Sequence, residues 1–170
     1  MGQNRCMATR EPRLGVDIGR VIIAGSEATD HDTSFIAGDL DNALRTPPVP
    51  GAFDALAVLV ERFDRRVWLV SKCAERVERR TKAWLDHHGV FDRTGIALDH
   101  LRFCRRRVDK APISAELGLT HFIDDRIDVL VPMRTIVPGL FLFGANIGPR
   151  WLTPVPDWAS ALQEVIARDA

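Results

Sequence analysis

Short, unbroken apolar runs alternate along this chain with longer stretches in which apolar residues recur every three or four positions. Unbroken runs suit strands buried on both faces of a parallel sheet. The longer spacing suits helices that bury one face. Strand one is expected at about Leu14 to Val16, stopping at Asp17. A polar loop follows from Gly25 to about Thr33, carrying Asp30, His31 and Asp32, and residues 34–45 have room for a short helix. Prolines 47, 48 and 50 stiffen the next segment, because proline fixes φ and restricts its predecessor. A helix is predicted from about Ala52 to Phe63, where Phe53, Leu56, Leu59, Val60 and Phe63 share a face. Strand two is Val67 to Val70, ending at Ser71-Lys72, and a helix from about Ala74 to His88 stops at Gly89, a natural C-cap. Strand three is about Leu101 to Cys104. A helix opening near Pro112 ends near Gly118, strand four is Thr120 to Ile123, and strand five is Leu140 to Phe143. The last helix spans about Asp157 to Arg168, with Asp157 as its N-cap.

Five short apolar strands separated by helices imply an α/β fold: a doubly wound, Rossmann-like parallel sheet with helices on both faces. Residues 1–12 are expected to form a flexible leader, and residues 13–170 one domain.

Composition narrows the function classes. Lys plus Arg equals Asp plus Glu at 23 each, so the chain lacks the basic excess of a generic nucleic-acid binder. The hydrophobic fraction of 46% is that of an ordinary globular protein, and no apolar run approaches the length of a membrane span. Cys6, Cys73 and Cys104 are odd in number and have no paired spacing, which suggests reduced thiols and a cytoplasmic location. Cys73 follows Ser71-Lys72 but has no histidine partner in the sequence, and is expected to be an inert, buried or semi-buried thiol.

The chemistry concentrates at two strand ends. Asp17 closes the first apolar run, and Asp124-Asp125 closes the fourth. In open α/β sheets, ligands bind outside the carboxyl ends of the strands. Three acids there repel one another unless a cation lies between them, and oxygen ligands suit a hard ion such as Mg²⁺. Asp124 and Asp125 are also residue types that open a helix, and Lys110 beside Asp109 has the plain reading of a solvated side chain.

The order of these segments resembles the haloacid dehalogenase-like (HAD) hydrolases. Val16-Asp17-Ile18-Gly19 resembles the family's first motif, Val67-Trp68-Leu69-Val70-Ser71 the second, Lys110 the third, and Phe122-Ile123-Asp124-Asp125 the fourth. The resemblance spans about residues 13–145 and implies a phosphohydrolase acting on a phosphomonoester. Asp17 would attack phosphorus and form an aspartyl-phosphate. Asp17, Asp125, the backbone carbonyl of Gly19 and, directly or through water, Asp124 would hold Mg²⁺. Ser71 and neighbouring backbone amides, with Lys72 beside them, would bind the phosphoryl oxygens, and Lys110 would balance the carboxylates.

Two departures qualify that picture. Family phosphatases place a second aspartate two residues after the nucleophile as general acid and base, and here that position is Gly19. A loop residue such as Asp30, His31 or Asp32 could substitute, leaving groups of low pKa could dispense with an acid, or turnover could be lost, leaving a phosphate- or protein-binding module. The segment 24–50 is also too short for a full cap domain, implying a capless, open site suited to a phosphorylated small molecule or a larger phosphorylated substrate. Arg102, Arg105, Arg106, Arg107 and Lys110 lie near strand three, where a solvated basic turn and contacts to extra phosphates are both readings.

Overall fold

A computed structural model describes residues 11–25 and 39–169. Its centre is a six-stranded sheet in the order β3-β2-β1-β4-β5-β6. The strands are β1 (Leu14–Val16), β2 (Val67–Lys72), β3 (Leu101–Cys104), β4 (His121–Asp124), β5 (Gly139–Phe143) and β6 (Thr153–Val155). All pair in parallel. The expected count of five is therefore corrected to six. The sixth strand is three residues long and contains Pro154, which weakens any strand signal in the sequence. Proline is tolerated there because β6 is an edge strand.

Side-chain alternation along the strands builds two cores. Leu14, Val16, Val67, Leu69, Ile123, Phe141 and Phe143 face one side, where α2 (Ala52–Arg62), α3 (Glu75–His87) and α7 (Trp158–Asp169) cover them with Phe53, Leu56, Trp84, Trp158 and Val165. Trp68, Val70, Phe122, Leu140 and Leu142 face the other side, beneath α5 (Lys110–Glu116) and α6 (Ile127–Leu130). Gly15 lies on that second face at the centre of the sheet. A β-carbon there would come within 2.5 Å of both Leu119 and Phe122, so close packing requires glycine.

The local signals explain the boundaries. Asp157 accepts a hydrogen bond from the Ser160 amide at 2.8 Å, the N-cap expected for α7. Gly89 follows the end of α3 with φ 61°, as a C-cap glycine should. The short α4 (Val90–Thr94), enclosed by left-handed Gly89 and Gly95, had no sequence signal, and α6 opens at Ile127, after the acidic pair instead of at it. Within residues 34–45, α1 (Leu40–Leu44) is capped by Asp39. Residues 1–10 of the expected leader, with Cys6, and the loop residues Asp30, His31 and Asp32 lie outside the described residues. Glu11 and Pro12 both lie against Arg66.

Candidate active site

β1 and β4 are neighbours at the point where the strand order reverses. Val16 pairs with Ile123, so the next residues, Asp17 and Asp124, leave the sheet side by side. The Asp17 amide donates to the Ile123 carbonyl at 2.9 Å, fixing the two strand ends together. Sheet register thus converts a separation of more than one hundred residues into contact.

Lys110 lies between them. Its Nζ donates to Asp17 Oδ1 at 2.6 Å and to Asp124 Oδ2 at 2.7 Å. The residue stands at the start of α5, and only 2% of its surface is exposed. The solvated-lysine reading is therefore corrected. Asp17, Asp124 and Asp125 each offer an oxygen, and the three oxygens lie within 4.8 Å of one another. Asp125 is in turn 4.0 Å from Arg20, and Asp124 accepts the Arg126 amide at 3.0 Å.

Burial sets the electrostatics. It raises the pKa of Asp125 to about 7, aided by the charge of Asp17 and opposed by Lys110, Arg20 and Arg126. Asp124 is also pushed up by burial, with the ammonium of Lys110 working against the shift and Asp17 adding to it. For Lys110 burial favours the neutral amine, but the carboxylates of Asp124 and Asp17 prevail and hold its pKa above the ordinary lysine value. Three clustered carboxyl groups that offer only hard oxygen donors fit a divalent cation of the magnesium type.

Ser71, Lys72 and Gly19 line the same cavity as the three aspartates and Lys110. Ser71 is brought there because β2 runs beside β1 and extends past it. Cys73 also lines the cavity, and burial raises its thiol to about 11, consistent with an inert side chain. Cys73 and Cys104 are both free thiols. Of the basic residues near β3, Arg107 and Lys110 reach the cavity. Arg105 instead pairs with Glu78, Arg106 with Asp109, and Arg102 donates to the Asp99 carbonyl. Arg20, Arg126 and Thr81 also line the cavity, although sequence reasoning gave them no role. For the two arginines a signal existed: each directly follows a motif residue, Gly19 or Asp125. Thr81 had none beyond its place on a helix facing strand two.

The fold and site define a class: an open α/β domain with an acid–lysine cluster at its topological switch point. No family model and no curated protein matches this chain. Solved structures do. D,D-heptose 1.7-bisphosphate phosphatase from B. bronchiseptica, in complex with magnesium and phosphate, is similar with a TM-score of 0.65 and 14% identity, over 92% of this chain and 99% of that one. A haloacid dehalogenase-like family hydrolase from Xanthomonas campestris is similar with a TM-score of 0.60 and 13% identity, over 93% of this chain and 96% of that one. The likeness shows that the fold is that of the HAD-like hydrolases.

Proposed function

We propose that this chain is a magnesium-dependent, capless phosphohydrolase that cleaves a phosphomonoester through an aspartyl-phosphate at Asp17. The observation that carries the reading is the bridge from Lys110 to both Asp17 and Asp124, with Asp125 close by. Such a cluster is costly to bury and is expected where charge must be handled. The structural neighbour in complex with magnesium and phosphate supports the same reading.

Asp17, Asp124, Asp125 and the Gly19 carbonyl would hold Mg²⁺, which when bound neutralises carboxylate and phosphoryl charge. Lys110 orients Asp17 through their hydrogen bond, and its ammonium is available to a phosphoryl oxygen. One oxygen of Asp17 attacks phosphorus while the bond to the ester oxygen breaks, and the leaving group departs with the electron pair as an oxyanion that takes its proton from water. Ser71 donates its hydroxyl to an equatorial phosphoryl oxygen, and Lys72 adds positive charge at the rim. Water then hydrolyses the acyl phosphate, restoring Asp17 and releasing phosphate.

Gly19 brings no carboxyl group to either proton transfer. Among the described residues, the cavity contains no acid beyond Asp17, Asp124 and Asp125, and no histidine. General acid–base assistance typically contributes about 10² to 10⁴-fold. The reading therefore favours esters with acidic leaving groups. The same observation supports a second reading, in which the chain is a catalytically impaired relative that binds phosphate or a protein.

An aryl phosphate assay with Mg²⁺ separates the two. The enzyme reading expects turnover in the wild type and a loss of at least about 10³-fold in Asp17→Asn. Equal background rates in both would favour the silent module. Gly19→Asp should raise turnover about 10-fold or more, because its carboxyl group would supply the proton transfers and φ there is not positive. No gain in an already active wild type would assign the proton transfers to another residue.

A further inference from the structure

A second, wider groove opens directly from the carboxylate cavity. Arg20, Asp125 and Arg126 belong to the walls of both. The groove has a volume of about 930 Å³, within the range of small-molecule sites. Its surface is apolar: Ile127, Val131, Pro132, Leu142, Phe143 and Ala145 line it. Ile127 and Val131, one helical turn apart at the start and just past the end of α6, are 43% and 52% exposed. No hydroxyl or amide side chain lines the groove among the described residues. Its charged residues are the three shared with the cavity and Asp128, which pairs with Arg126 at 2.9 Å.

We propose that this groove receives the leaving group of the phosphomonoester, and that this group is an apolar, aryl-type moiety instead of a polyhydroxylated one. The inference rests on the phosphohydrolase reading above. Continuity with the cavity selects the occupant: an ester held at Asp17 must extend its carbon portion out of the phosphoryl site, and the groove begins at that exit. Chemistry selects its character. A polyol buried against these side chains would lose hydrogen bonds to water and find few replacements. An apolar group gains by leaving water, while Arg20 and Arg126 stay with the phosphoryl end. An aryl leaving group also suits Gly19, because a phenolate departs without a proton donor.

Calorimetry on the wild type with Mg²⁺ and a series of n-alkylphosphonates, which have no ester bond to cleave, tests this. Affinity should rise about fourfold for each added methylene from methyl to hexyl. Val131→Asp, and independently Ile127→Asp, should flatten that rise. Ile147→Asp, at an exposed apolar position outside the groove, should keep it steep. If inorganic phosphate and methylphosphonate bind but chain length has no effect, the groove assignment is overturned and the phosphohydrolase reading survives. If none of these anions binds in the presence of Mg²⁺, both fall. If the wild type forms dimers in sedimentation that Val131→Asp dissociates, the groove belongs to a second copy of the chain, and the proposal is overturned.

Discussion

At Lys110 a buried ammonium meets two carboxylates at hydrogen-bond distance, and each group is tolerable only because the others are present. Removing one partner of a buried ion pair leaves uncompensated charge and costs about 3–5 kcal/mol. Lys110→Met should therefore lower the stability of the metal-free protein by about that amount in urea denaturation, with a smaller loss when Mg²⁺ is present. A loss below about 1 kcal/mol in both conditions would mean that the lysine is not engaged as described. The acids were readable in the sequence because each ends an apolar run, which fixes it at a strand tip. Arg107 was readable only as one of several arginines near strand three, and Arg20 and Arg126 only as neighbours of motif residues. A cation in a loop has no periodicity, and only the path of the backbone decides which arginine turns inward. Arg20 illustrates this: its φ of 60° is a left-handed conformation no pattern announces.

Among the elements, β1, β3 and α7 follow from pattern and capping. α4, α6 and β6 do not: the two helices are too short to show a helical period, and Pro154 breaks the apolar run that β6 would otherwise present. α7 has a role beyond cover. Trp158 at its start donates Nε1 to the Val21 carbonyl at 2.7 Å, across 137 residues. Val21, Ile22 and Ile23 are fully buried just after the Asp17–Gly19 turn. The tryptophan thus pins the segment that follows Asp17. Trp158→Phe leaves that buried carbonyl without its donor and opens a small void, at a cost of about 2 kcal/mol. Denaturant titration should show that loss together with a fall in kcat, because that segment loosens. A full loss of stability with unchanged kcat would confine Trp158 to packing.

For the whole molecule, the strand order 3-2-1-4-5-6 is the doubly wound arrangement that places ligands at the switch point. The sequence implied the class of sheet, but a three-residue edge strand completes it. No helix among the described residues is long and apolar enough to cross a membrane. The fold also couples stability to pH and metal. Asp125, and with it Asp124, is held above the ordinary carboxylate value of 3.8, Asp125 at about 7. Between about pH 4 and 7 the folded state therefore keeps protons that the unfolded chain has lost, so these groups make the metal-free protein less stable as pH rises. Carboxylates held low, such as Asp109 beside Arg106 and Asp157 at its helix cap, are already ionised across that window and leave the slope unchanged. A divalent cation bound by these carboxylates would compete with those protons. Thermal unfolding at pH 5 and pH 8 should show a larger rise in Tm on adding Mg²⁺ at pH 8. An increment independent of pH would separate the cation from these carboxylates.

The claim beneath all of this is that Asp17 takes the phosphoryl group. Mass spectrometry of peptides from enzyme quenched in acid after mixing with an aryl phosphate and Mg²⁺ tests it most directly. Because Gly19 supplies no base to speed hydrolysis, the acyl phosphate should accumulate. The account predicts one added phosphoryl group on the peptide bearing Asp17, absent in Asp17→Asn and absent without Mg²⁺. Phosphorylation of a different residue, or undiminished turnover by Asp17→Asn, would contradict it.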